Sequence, residues 1–282
     1  MVAILLALGA AVGYGSADFL AGWLSRRSHY ARVGLLTQLA AGAGALAASL
    51  AVGGAASATS LLWGALSGLG GGLGTLALYR GLGQGRMSVV APLSGVLAAG
   101  LPALLGLALG ERPSAAVATG LGLALPAVWL TARPDGPAPA AAGGSGVMDG
   151  LLAGLGFSVL FVGLQRGAHG PGLWPTAVSQ VVAALPILVA YLRVPASARA
   201  GEADGAWTRL GPVLAGLGVA LAAVLFFLAT RRGLLTIVAV LTSLYPAVTV
   251  GLARWVLSER IARWQGVGLA LAGVSVALIS SG

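Results

Sequence analysis

The sequence predicts an all-α membrane protein of ten transmembrane helices, arranged as two inverted five-helix repeats. Three observations carry this prediction. Apolar residues make up 58% of the 282-residue chain and charged residues only 8%, where a soluble domain has about 25% charged residues. So few charges cannot coat a soluble surface of this size, and the mean hydropathy of +0.95 agrees. Ten stretches approach the roughly 20 predominantly apolar residues that a bilayer-spanning helix needs: 2–24, 31–52, 61–83, 87–109, 115–132, 148–166, 173–193, 210–231, 234–257 and 262–280. Finally, a Glu-Arg pair in a short polar connection, Glu111–Arg112, recurs 148 residues later as Glu259–Arg260.

The first span lacks a positively charged leader and its apolar run continues past residue 20, so it reads as a retained membrane helix rather than a signal peptide. Arg26 and Arg27 mark its end. The third span holds a glycine run, Gly68 to Gly74. It lacks the Lys-Ser/Thr ending and the preceding strand of a phosphate-binding loop, and reads as a face for close helix contact or as a flexible point. Arg80 ends that span at the interface. Pro92 and Pro102 in span four, Pro186 in span seven and Pro246 in span nine disturb their helices and free backbone carbonyls. Arg254, about one turn from the end of span nine, reads as a side chain that snorkels to the interface.

Most connections are short, so neighbouring spans run antiparallel. Residues 133–147, rich in Pro, Gly and Ala, read as a flexible linker, and residues 194–209, with Glu202 and Asp204, as a polar loop. The chain thus divides into a first repeat, 1–132, a linker, 133–147, and a second repeat, 148–282. All seven tryptophans fall within a few residues of a predicted helix end, the position their amphipathic rings favour.

The repeat extends beyond the Glu-Arg pair. At the same offset of 148, Ser88-Val89-Val90-Ala91 meets Thr236-Ile237-Val238-Ala239, and Leu93-Ser94 meets Leu241-Thr242. Earlier in each half the offset is 142, where Thr37-Gln38 meets Ser179-Gln180. Apolar matches come easily in such a chain, whereas a matched glutamate does not, because the chain has only seven acidic residues. Five spans per copy is an odd number, so the second copy enters the membrane upside down. Secondary transporters built this way place their substrate site near the midplane, where the repeats meet.

The segments LGERPSAAVATGLGLAL from residue 109 and LSERIARWQGVGLALAG from residue 257 each place a Glu-Arg turn before a final span. Together with GYGSADF at 13–19, they resemble the EamA units of the drug/metabolite transporter superfamily. Tyr14 stands where tryptophan is more usual in that family. The resemblance covers nearly the whole chain. It implies a ten-helix transporter with a central cavity that works by alternating access, in a family whose wider relatives export amino acids and drugs or exchange phosphorylated sugars. It also implies that both termini lie inside. The loop arginines, eleven in the odd-numbered loops and four in the even-numbered ones, favour the opposite orientation by the positive-inside rule.

Candidate transport residues follow from what lipid penalises. An ionisable residue inside a span costs roughly 2.5–3.5 kcal/mol on insertion scales. Asp18 is the acid that lies well inside a predicted helix, so it should face the bundle. It either binds a cationic group or a coupling proton, or pairs with Arg32 or with the start of span two. Tyr14 lies one turn away. Gln38 and Gln180 take matching positions, either on opposite walls of a cavity or as partners in an interhelical hydrogen bond. Ser94, Thr242 and Tyr245 complete the candidate set, although serine and threonine hydroxyls also bond their own helix backbone. Glu111, Arg112, Glu259 and Arg260 read as structural turns in which the glutamate caps the amides of the next span.

Sixteen basic residues, all arginine, give a net charge of +9, but they sit singly or in pairs and form no stripe, which argues against a nucleic-acid partner. There is no cysteine and there are two histidines, His29 and His169, both in short polar connections. A disulfide, thiolate catalysis, a metal site or a cofactor is therefore not expected. The expected function is secondary transport of a small neutral or zwitterionic metabolite such as an amino acid, in the export direction, through a multi-pass protein of the bacterial inner membrane. Its partners would be the solute, the lipid bilayer and a coupling proton, and the protein would be a monomer or homodimer. A scaffold or sensor is the alternative class. An intramembrane enzyme fits least, because the spans lack a nucleophile with a base.

Overall fold

The structure is a computed structural model, and it describes residues 1–25, 27–83, 87–131, 146–170, 172–195, 205–257 and 263–281. Among these residues there is no strand. In lipid a backbone must satisfy its own polar groups, and helices do so within one segment. The helices are α1 (Val2–Ser25), α2 (Tyr30–Val52), α3 (Ala58–Gly83), α4 (Met87–Ala108), α5 (Ala115–Thr131) and α6 (Val147–Gly167). They continue with α7 (Trp174–Leu192), α8 (Ala206–Thr230), α9 (Leu235–Thr242), α10 (Tyr245–Leu257) and α11 (Arg263–Ser281). Seven of the described helices are long and apolar enough to cross a membrane, and the apolar helices of spans four, five and nine are shorter.

Span nine departs from expectation. It is predicted as one helix and is instead two, α9 and α10, meeting at Ser243–Leu244. The cause is Pro246. It has no N–H to continue the ladder and here sits in the first turn of a new helix, which starts at Tyr245, whereas Pro186 is accommodated inside α7 without a break. The proposed linker falls almost entirely in 132–145, and Glu202, Asp204, Glu259, Arg260 and Arg26 also lie outside the described residues.

Helices α3, α6 and α7 pack together, and so do α8, α1 and α2. Helix α4 packs on α6, α10 and α9 pack on α1, and α5 packs on α11. Glycines set the closest of these approaches. A Cβ on Gly68 would collide with the Ser179 carbonyl oxygen of α7, and one on Gly72 with that of Ala183. A Cβ on Gly70 would stand 2.6 Å from the Val159 Cβ of α6. The glycine run of span three is thus a contact face on two sides. In α8, Gly216 meets the Thr37 carbonyl oxygen of α2 in the same manner, and Gly218 faces Ala17 of α1.

Buried phenylalanines, Phe161 of α6 with Phe226 and Phe227 of α8, fill the centre of the bundle. The rings of Phe161 and Phe226 stack with centroids 4.6 Å apart. Leucines such as Leu5, Leu39, Leu62, Leu104, Leu185 and Leu221 point outward and are exposed. On a soluble monomer so wide an apolar exterior would mark an interaction surface; here it is the face that meets acyl chains.

Candidate functional site

Near the middle of the bundle lies a cavity of about 60 Å3. A water needs roughly 10–15 Å3 by this kind of measure, so the space suits several waters or a small solute. Helix α1 contributes Tyr14 and Asp18, α2 Thr37 and Gln38, and α3 Gly71, Thr75 and Tyr79. From the other side come Phe157, Leu160 and Phe161 of α6, Gln180 and Ala183 of α7, Val219 of α8 and Tyr245 of α10.

Tyr14 and Asp18 are four residues apart on α1, so both side chains lie on one helix face. Asp18 faces the cavity and does not pair with Arg32. Among the described residues no hydrogen bond or ion pair engages its carboxylate. It lies within electrostatic reach of three phenols, Tyr14, Tyr79 and Tyr245. The hydroxyls of Tyr14, Thr37 and Tyr245 are buried and have no hydrogen-bond partner among the described residues. The Ser94 side chain lies near the Tyr245 hydroxyl, but the pair falls short of hydrogen-bond geometry. Buried polar groups are ordinarily paired, so three unpaired hydroxyls and one carboxylate in the same cavity wall leave capacity to receive a polar ligand.

Gln38 and Gln180 meet each other instead of standing on opposite walls. Gln38 Nε2 donates to Gln180 Oε1 at 2.6 Å and to the Gln180 carbonyl oxygen at 2.8 Å. Both residues are buried, at 5% and 3% exposure, yet both line the cavity. They tie α2 to α7 and form part of the cavity wall.

Ser94 and Thr242 are fully buried and do not line the cavity. Thr242 Oγ1 donates to the Ala7 carbonyl oxygen at 3.4 Å, a bond between α9 and α1. Residues that sequence reasoning passed over include Thr75, Tyr79, Phe157 and Phe161. Tyr79 could have been found from spacing: it follows Gly71 and Thr75 at intervals of four on α3. The phenylalanines gave no signal, because an apolar aromatic in an apolar span looks like ordinary packing.

The Glu-Arg turn also differs from expectation. Gly110 adopts φ +95°, a conformation open to glycine. Its N–H bonds the Leu107 carbonyl at 3.0 Å, while the Glu111 N–H bonds that of Gly106 at 3.0 Å, the paired bonds that end many helices. This turn aims Glu111 away from α5, the span it was expected to cap, and toward α9. Its carboxylate accepts from the N–H of Leu235 at 2.8 Å and of Thr236 at 2.9 Å, and from the Thr236 hydroxyl. A carboxylate there satisfies orphan amides and complements the helix dipole. A second bond that the sequence did not reveal joins α3 to α6, with Arg80 Nε 3.5 Å from the buried Asp149 Oδ1.

Among the described residues no group of His, Cys, Asp and Glu could hold a metal ion.

No curated protein matches the chain. A solved structure described as "Crystal structure of protein" shares 21% identity, covers 98% of this chain and 95% of its own, and superposes with a TM-score of 0.73. At that identity the likeness speaks for the fold alone. The family model described as the EamA-like transporter family matches residues 144–281. The protein is therefore a multi-pass membrane protein whose residues 144–281 are similar to the EamA-like transporter family.

Proposed function

We propose that this protein is a secondary transporter that moves a small organic solute through the central cavity by alternating access, with Asp18 as the coupling group. The observation that carries this reading is the cavity itself. It lies among helices from both halves of the chain, near their middles, and it holds an unpaired carboxylate and unpaired hydroxyls. Polar capacity at membrane depth is costly, and a polar path for a solute accounts for it.

In this reading the chain is two inverted five-helix repeats, 1–132 and 148–282, joined by 133–147. Matched contacts support it. Gly68 and Gly216 are 148 residues apart, and each abuts a carbonyl oxygen, of Ser179 and Thr37, which are 142 apart. Those are the two offsets that the sequence repeat has. The pairs α3 with α6 and α8 with α1 correspond in the same way, as do α3 with α7 and α8 with α2. We place the protein in the bacterial inner membrane, working in the export direction. A proton on Asp18 and a solute would then take turns at one site.

The test is flux in proteoliposomes. A panel of small amines, amino acids and neutral metabolites is supplied with and without an imposed proton gradient. Wild type should carry at least one of them with gradient-dependent accumulation, and Asp18→Asn should lose that accumulation while still folding. Gradient-dependent flux unchanged in Asp18→Asn would remove Asp18 from coupling. Absence of flux for every class in folded protein would remove the transport reading.

A further inference from the structure

The geometry points to a narrower substrate class: the cavity is built for a solute with one ammonium group and an apolar body, not for a neutral or zwitterionic one. This rests on the transport reading for its purpose, but it concerns binding and can be tested apart from flux.

The charges and rings of the wall decide it. Among the described lining residues Asp18 carries the sole charge, and none is an arginine. Its partners within electrostatic reach are Tyr14, Tyr79 and Tyr245, while Phe157 and Phe161 add two further rings. The Tyr14 and Phe161 rings lie 6.3 Å apart, tilted at 55°. A carboxylate among aromatic rings is the combination that attracts an organic cation, by ion pairing and by the negative faces of the rings. A monocation neutralises the cavity. A zwitterion also offers an ammonium, but it leaves its own carboxylate in a low-dielectric space with no cationic partner among the described lining residues, which is unfavourable. A neutral alcohol leaves Asp18 as it is and gains nothing from the charge. One carboxylate balances one ammonium, so a second ammonium would find no anionic partner among the described lining residues. One ammonium is therefore the fitting number.

The experiment compares three probes of matched shape: isobutylamine, valine, which is the same skeleton with a carboxylate, and isobutanol. Radiolabelled probe is equilibrated with nanodisc-embedded wild type, Asp18→Asn and Asp18→Glu at neutral pH, and each variant's melting curve is recorded. Wild type should bind isobutylamine at least about tenfold more tightly than valine or isobutanol. Asp18→Asn should lose that preference and Asp18→Glu should keep it. Equal or tighter binding of valine or isobutanol by wild type overturns the proposal, whatever the variants do. So does a folded Asp18→Asn that still prefers the amine. Amine binding in nanodiscs without amine flux in proteoliposomes would count against the transport reading and leave this one standing. Flux of valine with no amine preference would do the reverse.

Discussion

Asp18 is the residue on which the site turns, and its position was legible because lipid makes a mid-helix acid expensive. Its neighbours were only partly legible. Tyr14 and Tyr245 could be named, whereas Phe157 and Phe161 could not, since nothing in an apolar span separates a cavity-facing ring from a packed one. Glu111 shows another limit. Its role as a cap follows from residue type and spacing, but which helix it caps depends on the turn at Gly110 and on how α4 meets α9. Glu111→Ala should leave two amides and a hydroxyl at the start of α9 without their acceptor. We expect a loss of about 1–3 kcal/mol, read as a lower melting temperature in nanodiscs. Glu111→Gln, which keeps one acceptor oxygen, should lose less. An unchanged melting curve for Glu111→Ala would show that the cap contributes nothing.

At the scale of elements, the glycine run of α3 allowed a contact face or a flexible point, and the structure shows the contact face and its two partners. Gly72 abuts the Ala183 carbonyl of α7, while Gly22 of α1 has open space where a Cβ would go. Gly72→Ala should therefore destabilise the protein, because the backbones must move apart. Gly22→Ala should be neutral or slightly stabilising, since alanine is the better helix former by about 1 kcal/mol. Equal effects of the two in a melting assay would contradict the packing described here. The break between α9 and α10 was half legible. Pro246 announced a disturbance, but hydropathy alone runs straight through it, so a single span was predicted. The break lets Tyr245, at the first turn of α10, enter the cavity wall. Pro246→Ala should let the span run as one helix and turn Tyr245 away. We expect weaker binding of isobutylamine with little loss of stability, and unchanged binding would separate the break from the site.

The whole molecule was legible to the extent that lipid imposes length and composition. The spans follow from hydropathy, and the recurrence of Glu111–Arg112 as Glu259–Arg260 is what suggests a duplication. The cavity's content was not legible, because which residues of seven helices converge depends on crossing geometry. Gln38 and Gln180 illustrate this: their matched positions were visible, but their mutual hydrogen bond needed the fold. The central claim is that one cavity opens alternately to the two sides of the membrane. A chain without cysteine permits a direct test by single-cysteine labelling with a membrane-impermeant thiol reagent, applied from one face at a time to oriented vesicles. Thr75→Cys, in the cavity wall, should be labelled from either face, and Leu221→Cys, 57% exposed near the middle of α8, from neither. Labelling of Thr75→Cys from one face only, or from none, would contradict alternating access through this cavity.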